Sequence, residues 1–233
     1  FTLTMILRFE GNWIILPPME DLIAGYKRFR AYGWQERQKE FEELAGERQH
    51  PKALVISCID SRVEPAIIFD AMPGEMIVVR NVANLVPPYG PDASYHGTSA
   101  ALEFGVRVLE VPHIIVMGHE MCGGVKALLE GAPETAKDYV EPWMSLAASA
   151  RVVALRQGSR AERQRCCEHE VVKVSLTNLL TFPWIAEWVA SGKLALHGAW
   201  FNIHSGELNI LQPDGTFQPV PDSPFRQITL TGI

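Results

Sequence analysis

The sequence is poor in cysteine, in basic charge and in long apolar runs. Its 233 residues include only 4 cysteines, too few for a disulfide scaffold. Its formal net charge of -6 argues against the basic face on which nucleic-acid binders depend. No apolar run approaches the ~20 residues that cross a bilayer, and no internal repeat or low-complexity tract is present. We therefore expect a protein with no nucleic-acid partner and no membrane partner.

The composition is typical of a globular protein with one domain. Hydrophobic residues make up 47% and charged residues 21% of the 26.0 kDa chain. Residues 1–18 lack the apolar core and the small-residue cleavage site of a signal peptide. We expect them to form an irregular extension and residues 19–233 to form the domain. Unpaired cysteines are typical of reducing compartments, so a soluble, cytoplasmic protein is expected.

Short apolar runs alternate with helical patterns along most of the chain. The runs predict buried strands at Ala53–Cys58, Met76–Arg80, His113–Met117 and Leu194–Trp200. Apolar periodicity predicts helices at Glu64–Ala71, Ser99–Glu110, Gly123–Glu130, Tyr139–Gln157 and Glu162–Ala190. A hairpin is expected at residues 207–219, with an irregular tail beyond it. This order predicts an α/β fold with a mostly parallel central β-sheet flanked by helices.

The segment from Glu20 to Glu47 predicts two helices that meet near Gly33. Apolar residues recur there at mostly helical spacing among many charges. Such helices cannot bury their apolar stripe alone, so they pack on the same protein or on a second subunit. We therefore expect a homo-oligomer.

Two of the predicted strands are followed by residues that can bind a metal. Cys58 ends the first strand, and His119 and Cys122 follow the third. Since ligands bind outside the carboxyl ends of parallel strands, these three side chains can converge on one crevice. Two thiolates and one imidazole leave one position of tetrahedral zinc open, which is the pattern of a catalytic site. Gly123 and Gly124 then let the backbone and the free N–H groups of a helix start come close.

Asp60 and Arg62 lie in the loop directly after Cys58. An ion pair between them would fix the direction of the carboxylate. Two thiolates already neutralise Zn²⁺, so this zinc should acidify water less than an ion held by three neutral imidazoles. A hydrogen bond from a zinc-bound hydroxide to an ionised Asp60 would therefore matter for orienting the nucleophile.

Plainer interpretations of these residues remain open. The metal-binding set could be two buried cysteines and a core histidine, and Asp60 and Arg62 could form a purely structural ion pair. Cys166 and Cys167 cannot both face one ion from adjacent helical positions, so they are interpreted as ordinary helix residues. The other histidines have no partner at ligand spacing and are expected to be structural.

Three sequence blocks together resemble the β-class carbonic anhydrases. They are Cys-x-Asp-Ser-Arg-Val from Cys58, Val-Arg-Asn-Val-Ala-Asn from Val79, and Gly-His-x-x-Cys-Gly-Gly from Gly118. The resemblance implies reversible hydration of CO2 to bicarbonate and a proton, which is the reaction of a lyase (carbonate dehydratase). It implies one Zn²⁺ per chain on Cys58, His119 and Cys122, with Asp60 and Arg62 as the catalytic pair. It also implies that Asp60 can become an alternate fourth ligand, and that the N-terminal helices embrace a second subunit in a homodimer or homotetramer.

The resemblance extends to the plant-like branch of that family. Gln49 stands nine residues before Cys58, where that branch has a glutamine that donates to substrate oxygen, and Val86-Pro-Pro-Tyr89 also looks plant-like. An open zinc site at neutral pH is therefore expected. Besides Gln49, the residues assigned to substrate binding are Gly123, Ile77 and Phe104.

Two other functions are compatible with the same residues. One is a hydrolase for CS2 or COS on the same fold, which differs in access to the pocket. The other is an oligomeric protein with a closed, structural zinc site and no activity, in which Asp60 stays on the metal.

Overall fold

A computed structural model of the chain describes residues 6–9, 12–15, 19–46, 49–92 and 94–221. The chain divides into two units, residues 1–49 and residues 50–233, and each is described by itself. Residues 222–233, which hold most of the tail expected to be irregular, lie outside the described residues. Among the described helices, none is both long enough and apolar enough to span a membrane.

The first unit contains a short hairpin and a helical segment. Strands β1 (Ile6–Phe9) and β2 (Asn12–Ile15) pair antiparallel, within the stretch expected to be irregular. Helices α1 (Glu20–Arg28) and α2 (Trp34–Gly46) are joined by one wide turn of π-helix at Phe29–Gly33. The predicted break near Gly33 is thus a change of helical pitch, and the domain boundary at residue 19 stays a prediction.

The helices of this unit keep an apolar stripe in contact with solvent. Within the unit no described side chain of α1 or α2 is fully buried. Leu22 and Tyr32 are each 71% exposed and Tyr26 is 61% exposed. Hydrophobic side chains of this size gain about 1.5–3 kcal/mol each when they are fully buried, so the stripe favours a partner surface.

The second unit is built on a six-stranded sheet with the order β4-β3-β5-β6-β7-β8. The first four strands in this order are parallel, and β7 and β8 are added antiparallel. The strands are β3 (Ala53–Cys58), β4 (Met76–Asn81), β5 (His113–His119), β6 (Ala195–Phe201), β7 (Leu208–Leu211) and β8 (Phe217–Pro219). This arrangement confirms the predicted α/β fold with a mostly parallel sheet.

Seven α-helices accompany the sheet in the second unit as described. They are α3 (Pro65–Ile68), α4 (Gly97–Glu103), α5 (Gly123–Glu130), α6 (Val140–Ser145), α7 (Ala148–Ala154), α8 (Arg160–Leu179) and α9 (Pro183–Ala190). The helix predicted at Tyr139–Gln157 is therefore two helices, because the backbone at Ala147 leaves the helical region. Pro183 starts α9, where its missing N–H costs nothing.

The core that carries the functional end of the sheet lies between β3, β5 and α8. Leu54, Ile56, Ile114 and Val116 of the strands are completely buried in one cluster with residues of α4, α8 and α9. Gly118 lets α8 pack directly on β5, because a Cβ there would lie 2.8 Å from Cγ2 of Val172. The close approach of α8 brings its polar side chains to the carboxyl edge of the sheet.

Candidate metal centre

The carboxyl ends of two neighbouring strands bring the predicted ligands together. Cys58 is the last residue of β3, His119 is the last residue of β5, and Cys122 immediately precedes α5. Strands β3 and β5 are hydrogen-bonded neighbours, so the two ends lie side by side. The sulfur and nitrogen ligand atoms of the three residues all lie within 4.8 Å of one another. The three side chains are at most 4% exposed, so this is a buried site.

The ring of His119 is oriented as a metal ligand requires. Its Nδ1 lies 2.8 Å from the carbonyl oxygen of Glu120, to which it donates. Its buried Nε2 has no hydrogen-bond partner among the described residues. A histidine that donates through one ring nitrogen offers the lone pair of the other nitrogen to a metal. This unpartnered nitrogen beside two sulfurs fits an ion such as zinc.

The two thiols are coupled and receive backbone hydrogen bonds. Their sulfurs are 3.9 Å apart, and the hydrogen bond between them lowers the pKa of Cys58 while it raises that of Cys122. Backbone N–H groups of Asp60 and Ala83 help to lower the pKa of Cys58, and those of Gly124 and Val125 oppose the rise in the pKa of Cys122. Such donors stabilise thiolate, the form that binds metals.

The loop that follows β4 supplies one of these donors through an uncommon conformation. Ala83 and Asn84 both have positive φ, 61° and 48°, and both are buried. Positive φ is rare for residues other than glycine and costs of order 1 kcal/mol. Trp143 holds this turn by donating from its Nε1 to the Val82 carbonyl oxygen at 2.8 Å. The turn thereby carries the Ala83 N–H to the metal-binding thiol.

Asp60 and Arg62 form a two-pronged ion pair at the mouth of the site. Arg62 Nε donates to Oδ1 of Asp60 at 2.9 Å, and Nη2 donates to Oδ2 at 2.8 Å. These hydrogen bonds hold the pKa of Asp60 well below its usual range, so the carboxylate is ionised at neutral pH. Oδ2 of Asp60 also lies 4.0 Å from Nε2 of His119. The ionised oxygen therefore lies near the ligand nitrogen.

Arg80 braces the loop that carries Asp60. Its guanidinium donates to the carbonyl oxygens of Cys58, Asp60 and Val63 at 3.0, 2.6 and 3.2 Å. Its Nη1 also pairs with Glu64 at 2.5 Å. An arginine that saturates three carbonyl groups fixes a loop backbone firmly, because its donors are held in a rigid fork. This contact supports a structural role for Arg80.

A second layer of polar side chains on α8 was missed by sequence reasoning. The carboxylate of Glu168, only 2% exposed, accepts from the backbone N–H of Cys122 at 3.1 Å. Burial raises the pKa of Glu168, although hydrogen bonds from Gln164, Cys122 and Trp200 oppose that shift. Helical spacing offers a signal, because Glu168 lies on the buried face of α8 with Val171, Val172 and Ser175.

The remaining predicted site residues are spread over the chain. Gly123 is the first residue of α5 and lies beside the ligand set. Ile77 is paired with Leu54 near the amino end of β4, four residues or ~13 Å from Asn81 at the carboxyl edge. Phe104, which is 52% exposed, directly follows α4, and its neighbour Gly105 lies against the side chains of Leu54 and Ile77. The second unit thus does not bring Ile77 and Phe104 to the ligands, and Gln49 belongs to the first unit.

Comparisons with known proteins agree with this geometry. The family model of carbonic anhydrase matches residues 53–208. A carbonic anhydrase of Pseudomonas aeruginosa is 39% identical over 195 residues, which cover 83% of this chain and 87% of that protein. The solved β-carbonic anhydrase CcaA is 32% identical, with a TM-score of 0.80 over 87% of this chain and 99% of the other.

A further solved structure, one of two tetrameric β-carbonic anhydrases of Sordaria macrospora, is 27% identical to this chain. Its TM-score is 0.71, and the match covers 82% of this chain and 95% of the other. Carbonic anhydrases are lyases. The matched residues include the whole Cys–His–Cys group and the Asp–Arg pair, and the chain belongs to the β-carbonic anhydrase family.

Proposed function

We propose that the protein catalyses the zinc-dependent, reversible hydration of CO2 to bicarbonate and a proton. The observation that carries this proposal is the ionised Asp60 paired with Arg62 beside a buried Cys58–His119–Cys122 group. Family membership supports the reaction, and the arrangement of these five side chains supports the roles assigned to them.

In this proposal Cys58, His119 and Cys122 hold one Zn²⁺ per chain. Two thiolates and a neutral imidazole suit zinc, and three protein ligands leave a fourth position for chemistry. When it is bound, zinc supplies the acidity that makes water a nucleophile near neutral pH. The N–H groups directed at both sulfurs offset part of the negative charge that the thiolates bring into a buried site.

Asp60 orients the attacking water in this proposal. Its carboxylate is ionised and can only accept hydrogen bonds. The one O–H group left after the water has lost a proton would therefore point at Asp60, and an oxygen lone pair would face CO2. Arg62 holds both carboxylate oxygens, and this contact would keep Asp60 off the metal in the open site that we propose. Release of Asp60 from Arg62 would make it the alternate fourth ligand.

Substrate contacts are proposed for Gly123, Gln49, Ile77 and Phe104. The N–H of Gly123 lies at the start of α5, where free backbone donors favour an anion such as bicarbonate. Because Ile77 and Phe104 lie toward the other end of the sheet, we assign them a contact with substrate bound by a neighbouring copy. Gln49 is assigned the role of donating to a substrate oxygen.

The chain is proposed to act as a homodimer or homotetramer, as a soluble cytoplasmic protein. The exposed apolar residues of α1, among them Leu22 and Tyr26, support the packing of these helices on a second subunit. One solved relative is described as tetrameric, which supports an assembly of this kind. Size-exclusion chromatography with light scattering tests it, and a monomer at micromolar concentration would overturn it.

Stopped-flow CO2 hydration with a pH indicator tests the proposed function. The zinc-loaded chain is expected to accelerate hydration far above buffer at mildly alkaline pH. A rate equal to buffer with one zinc bound per chain would contradict the proposal and favour a structural zinc site. Use of CS2 or COS in place of CO2 tests the alternative hydrolase activity.

Asp60→Asn tests the role of the carboxylate. The amide keeps the shape but loses the charge and presents N–H groups to the water, so activity is expected to fall ~10²-fold or more while zinc stays bound. Asp214→Asn is the matched control, because Asp214 lies in the β7–β8 turn and bonds to Thr216. Full activity of Asp60→Asn would show that the pair is structural.

A further inference from the structure

Two side chains of α8 grip the backbone of Cys122 from opposite sides. Oε1 of Glu168 accepts from the Cys122 N–H at 3.1 Å. Nε2 of Gln164 donates to the Cys122 carbonyl oxygen at 3.1 Å. Gln164 also donates to Oε1 of Glu168 at 2.8 Å, so the two side chains, one helical turn apart, form a single unit. Both peptide groups that flank the sulfur-bearing residue are therefore fixed by α8.

The unit is itself held from behind. Oε2 of Glu168 accepts from Nε1 of Trp200, on β6, at 3.1 Å. Glu168 thus uses both oxygens as acceptors for three N–H donors, and none of the described lysine or arginine side chains forms an ion pair with it. A buried carboxylate without a cationic partner is uncommon in proteins. Its three donors are the backbone N–H of Cys122, the side-chain amide of Gln164 and the indole N–H of Trp200.

The far end of α5 is tied to the same helix. Arg160, the first residue of α8, donates from Nε and Nη2 to the two carboxylate oxygens of Glu130, the last residue of α5. Helix α8 therefore holds both ends of α5: Cys122 directly before its start and Glu130 at its last residue. Since Cys122 directly precedes α5, a shift of α5 would displace Cys122 as well.

We propose that Glu168 and Gln164 are positioning residues for the metal. They set the backbone of Cys122, and through it the direction of its sulfur. The inference rests on the proposed zinc site, because it assigns a role toward that metal. Neither side chain touches the reacting atoms.

An apolar residue in place of Glu168 would fill the same space without serving this role. The Cys122 N–H would then be a buried donor without a partner, and so would Nε1 of Trp200. Polar partners behind metal ligands orient those ligands, and their loss typically lowers metal affinity or activity about 10–100-fold. We therefore expect a loss of zinc affinity in that range when the carboxylate is replaced by a group of the same volume.

Glu168→Gln in the full chain is the main variant. Its amide can accept through one oxygen only and turns an N–H group toward existing donors. The zinc dissociation constant, measured by competition with a chromophoric chelator, is expected to rise about 10–100-fold. Co²⁺ in place of zinc is expected to show altered thiolate-to-metal absorption bands. Glu170→Gln is the control, because Glu170 is only two residues away on α8 but pairs with Lys173.

A second variant separates the contact of Gln164 with Cys122 from that of Glu168. Gln164→Ala removes one of two donors to the Cys122 carbonyl oxygen and leaves the backbone N–H of Lys126 as the other. A rise in the zinc dissociation constant of up to about tenfold is expected. If the two residues act as one unit, the double variant should lose less affinity than the product of the single losses. Trp200→Phe removes the rear donor without touching Cys122 and should have the smallest effect.

A purely structural role gives a different pattern. If Glu168→Gln lowered the melting temperature with chelator present but kept wild-type zinc affinity and cobalt bands, the positioning role would be wrong. If Glu168→Gln did not fold, Gln164→Ala with unchanged affinity and unchanged bands would overturn it equally. Wild-type protein that binds zinc tightly without hydrating CO2 would contradict the proposed activity alone, and wild-type protein that binds no zinc would contradict both proposals.

Discussion

The chain carries two sets of two cysteines and one histidine, and the two sets have opposite properties. Cys58, Cys122 and His119 converge at the carboxyl edge of the sheet. Cys166, Cys167 and His169 follow one another along α8. Within the described residues, only the first set forms a group of three ligand atoms within 4.8 Å. The same residue types therefore form a candidate metal site in one place and not in the other.

The protonation of the two sets differs as well. Burial raises the pKa of the Cys167 thiol to about 12 and raises that of Cys166. Burial also lowers the pKa of His169 to about 4. All three side chains on α8 are therefore neutral at pH 7. Burial likewise acts to lower the pKa of His119, but the neighbouring Cys58 sulfur raises it overall.

Backbone donors explain much of the difference. The first set lies where strands end and a helix starts, so N–H groups are free to point at sulfur. The second set lies in the middle of a 20-residue helix, whose N–H groups are bonded within the helix. A buried cysteine thus becomes a metal ligand through the donors around it, and burial alone keeps it a thiol.

The largest expected contrast is between Cys122→Ser and Cys167→Ser. Cys122→Ser should reduce bound zinc from about one per chain to a small fraction and lower kcat/KM at least ~10²-fold, because a neutral hydroxyl is a poor zinc ligand. Cys167→Ser should keep its zinc and lose about 1–3 kcal/mol of stability, because it buries a hydroxyl. Metal analysis by mass spectrometry and stopped-flow rates measure both. Equal zinc loss in the two variants would break the comparison.

Two neighbouring glycines sharpen the argument about backbone donors. A Cβ on Gly124 would lie 2.7 Å from Cγ1 of Val82 and 3.0 Å from Cβ of Ala83, whereas one on Gly123 meets no described atom within 4 Å. Gly124→Ala should therefore lower the free energy of unfolding by up to about 3 kcal/mol and weaken zinc binding. Gly123→Ala should change stability by less than about 0.5 kcal/mol. Urea unfolding with chelator present checks this, and equal losses would refute it.

His169 allows the neutral set to be tested through pH. Its pKa is 6.5 ordinarily and about 4 in the folded protein. Below pH 6.5 the unfolded chain binds a proton that the folded chain refuses, so stability falls as pH drops from 6.5 toward 4. At pH 5 this amounts to about 2 kcal/mol. His169→Gln should lose that part of the pH dependence in urea unfolding, while His50→Gln, at an exposed position, should keep it.

A pH dependence of stability in His169→Gln equal to that of wild type would mean that His169 is not held neutral by burial. The ring stacks on Phe217 and meets Trp200 edge-on, so the substitution also removes packing at every pH. The test is therefore the change in the free energy of unfolding between pH 7.5 and pH 5, compared between wild type and His169→Gln.

The first set was predictable from sequence because its signals are local. Apolar runs located β3 to the residue and β5 within two residues, and the polar residues after them marked the carboxyl edge. The helix predicted at Gly123–Glu130 is confirmed. It ends there because Gly131 adopts a φ of +98°, outside the helical region. Family resemblance added the chemistry to these positions.

The residues that support the set were not predictable in the same way. Glu168 meets Cys122 across 46 residues of sequence, and Trp143 meets Val82 across 61. Such contacts depend on how closely α8 and α6 pack, which no local pattern fixes. The positive φ of Ala83 is also invisible in sequence, since alanine rarely adopts it.

The smallest expected effect belongs to Cys166→Ser. Cys166 is half-buried on α8, and burial together with the charge of Glu170 raises the pKa of its thiol. A serine there keeps a partly solvated polar atom, so stability should change by less than about 0.5 kcal/mol, with zinc content and CO2 hydration unchanged. Titration of the zinc-loaded protein with a thiol reagent should lose one slowly reacting group in this variant. Loss of zinc would show that the α8 cysteines take part in metal binding, and the contrast between the two sets would then be wrong.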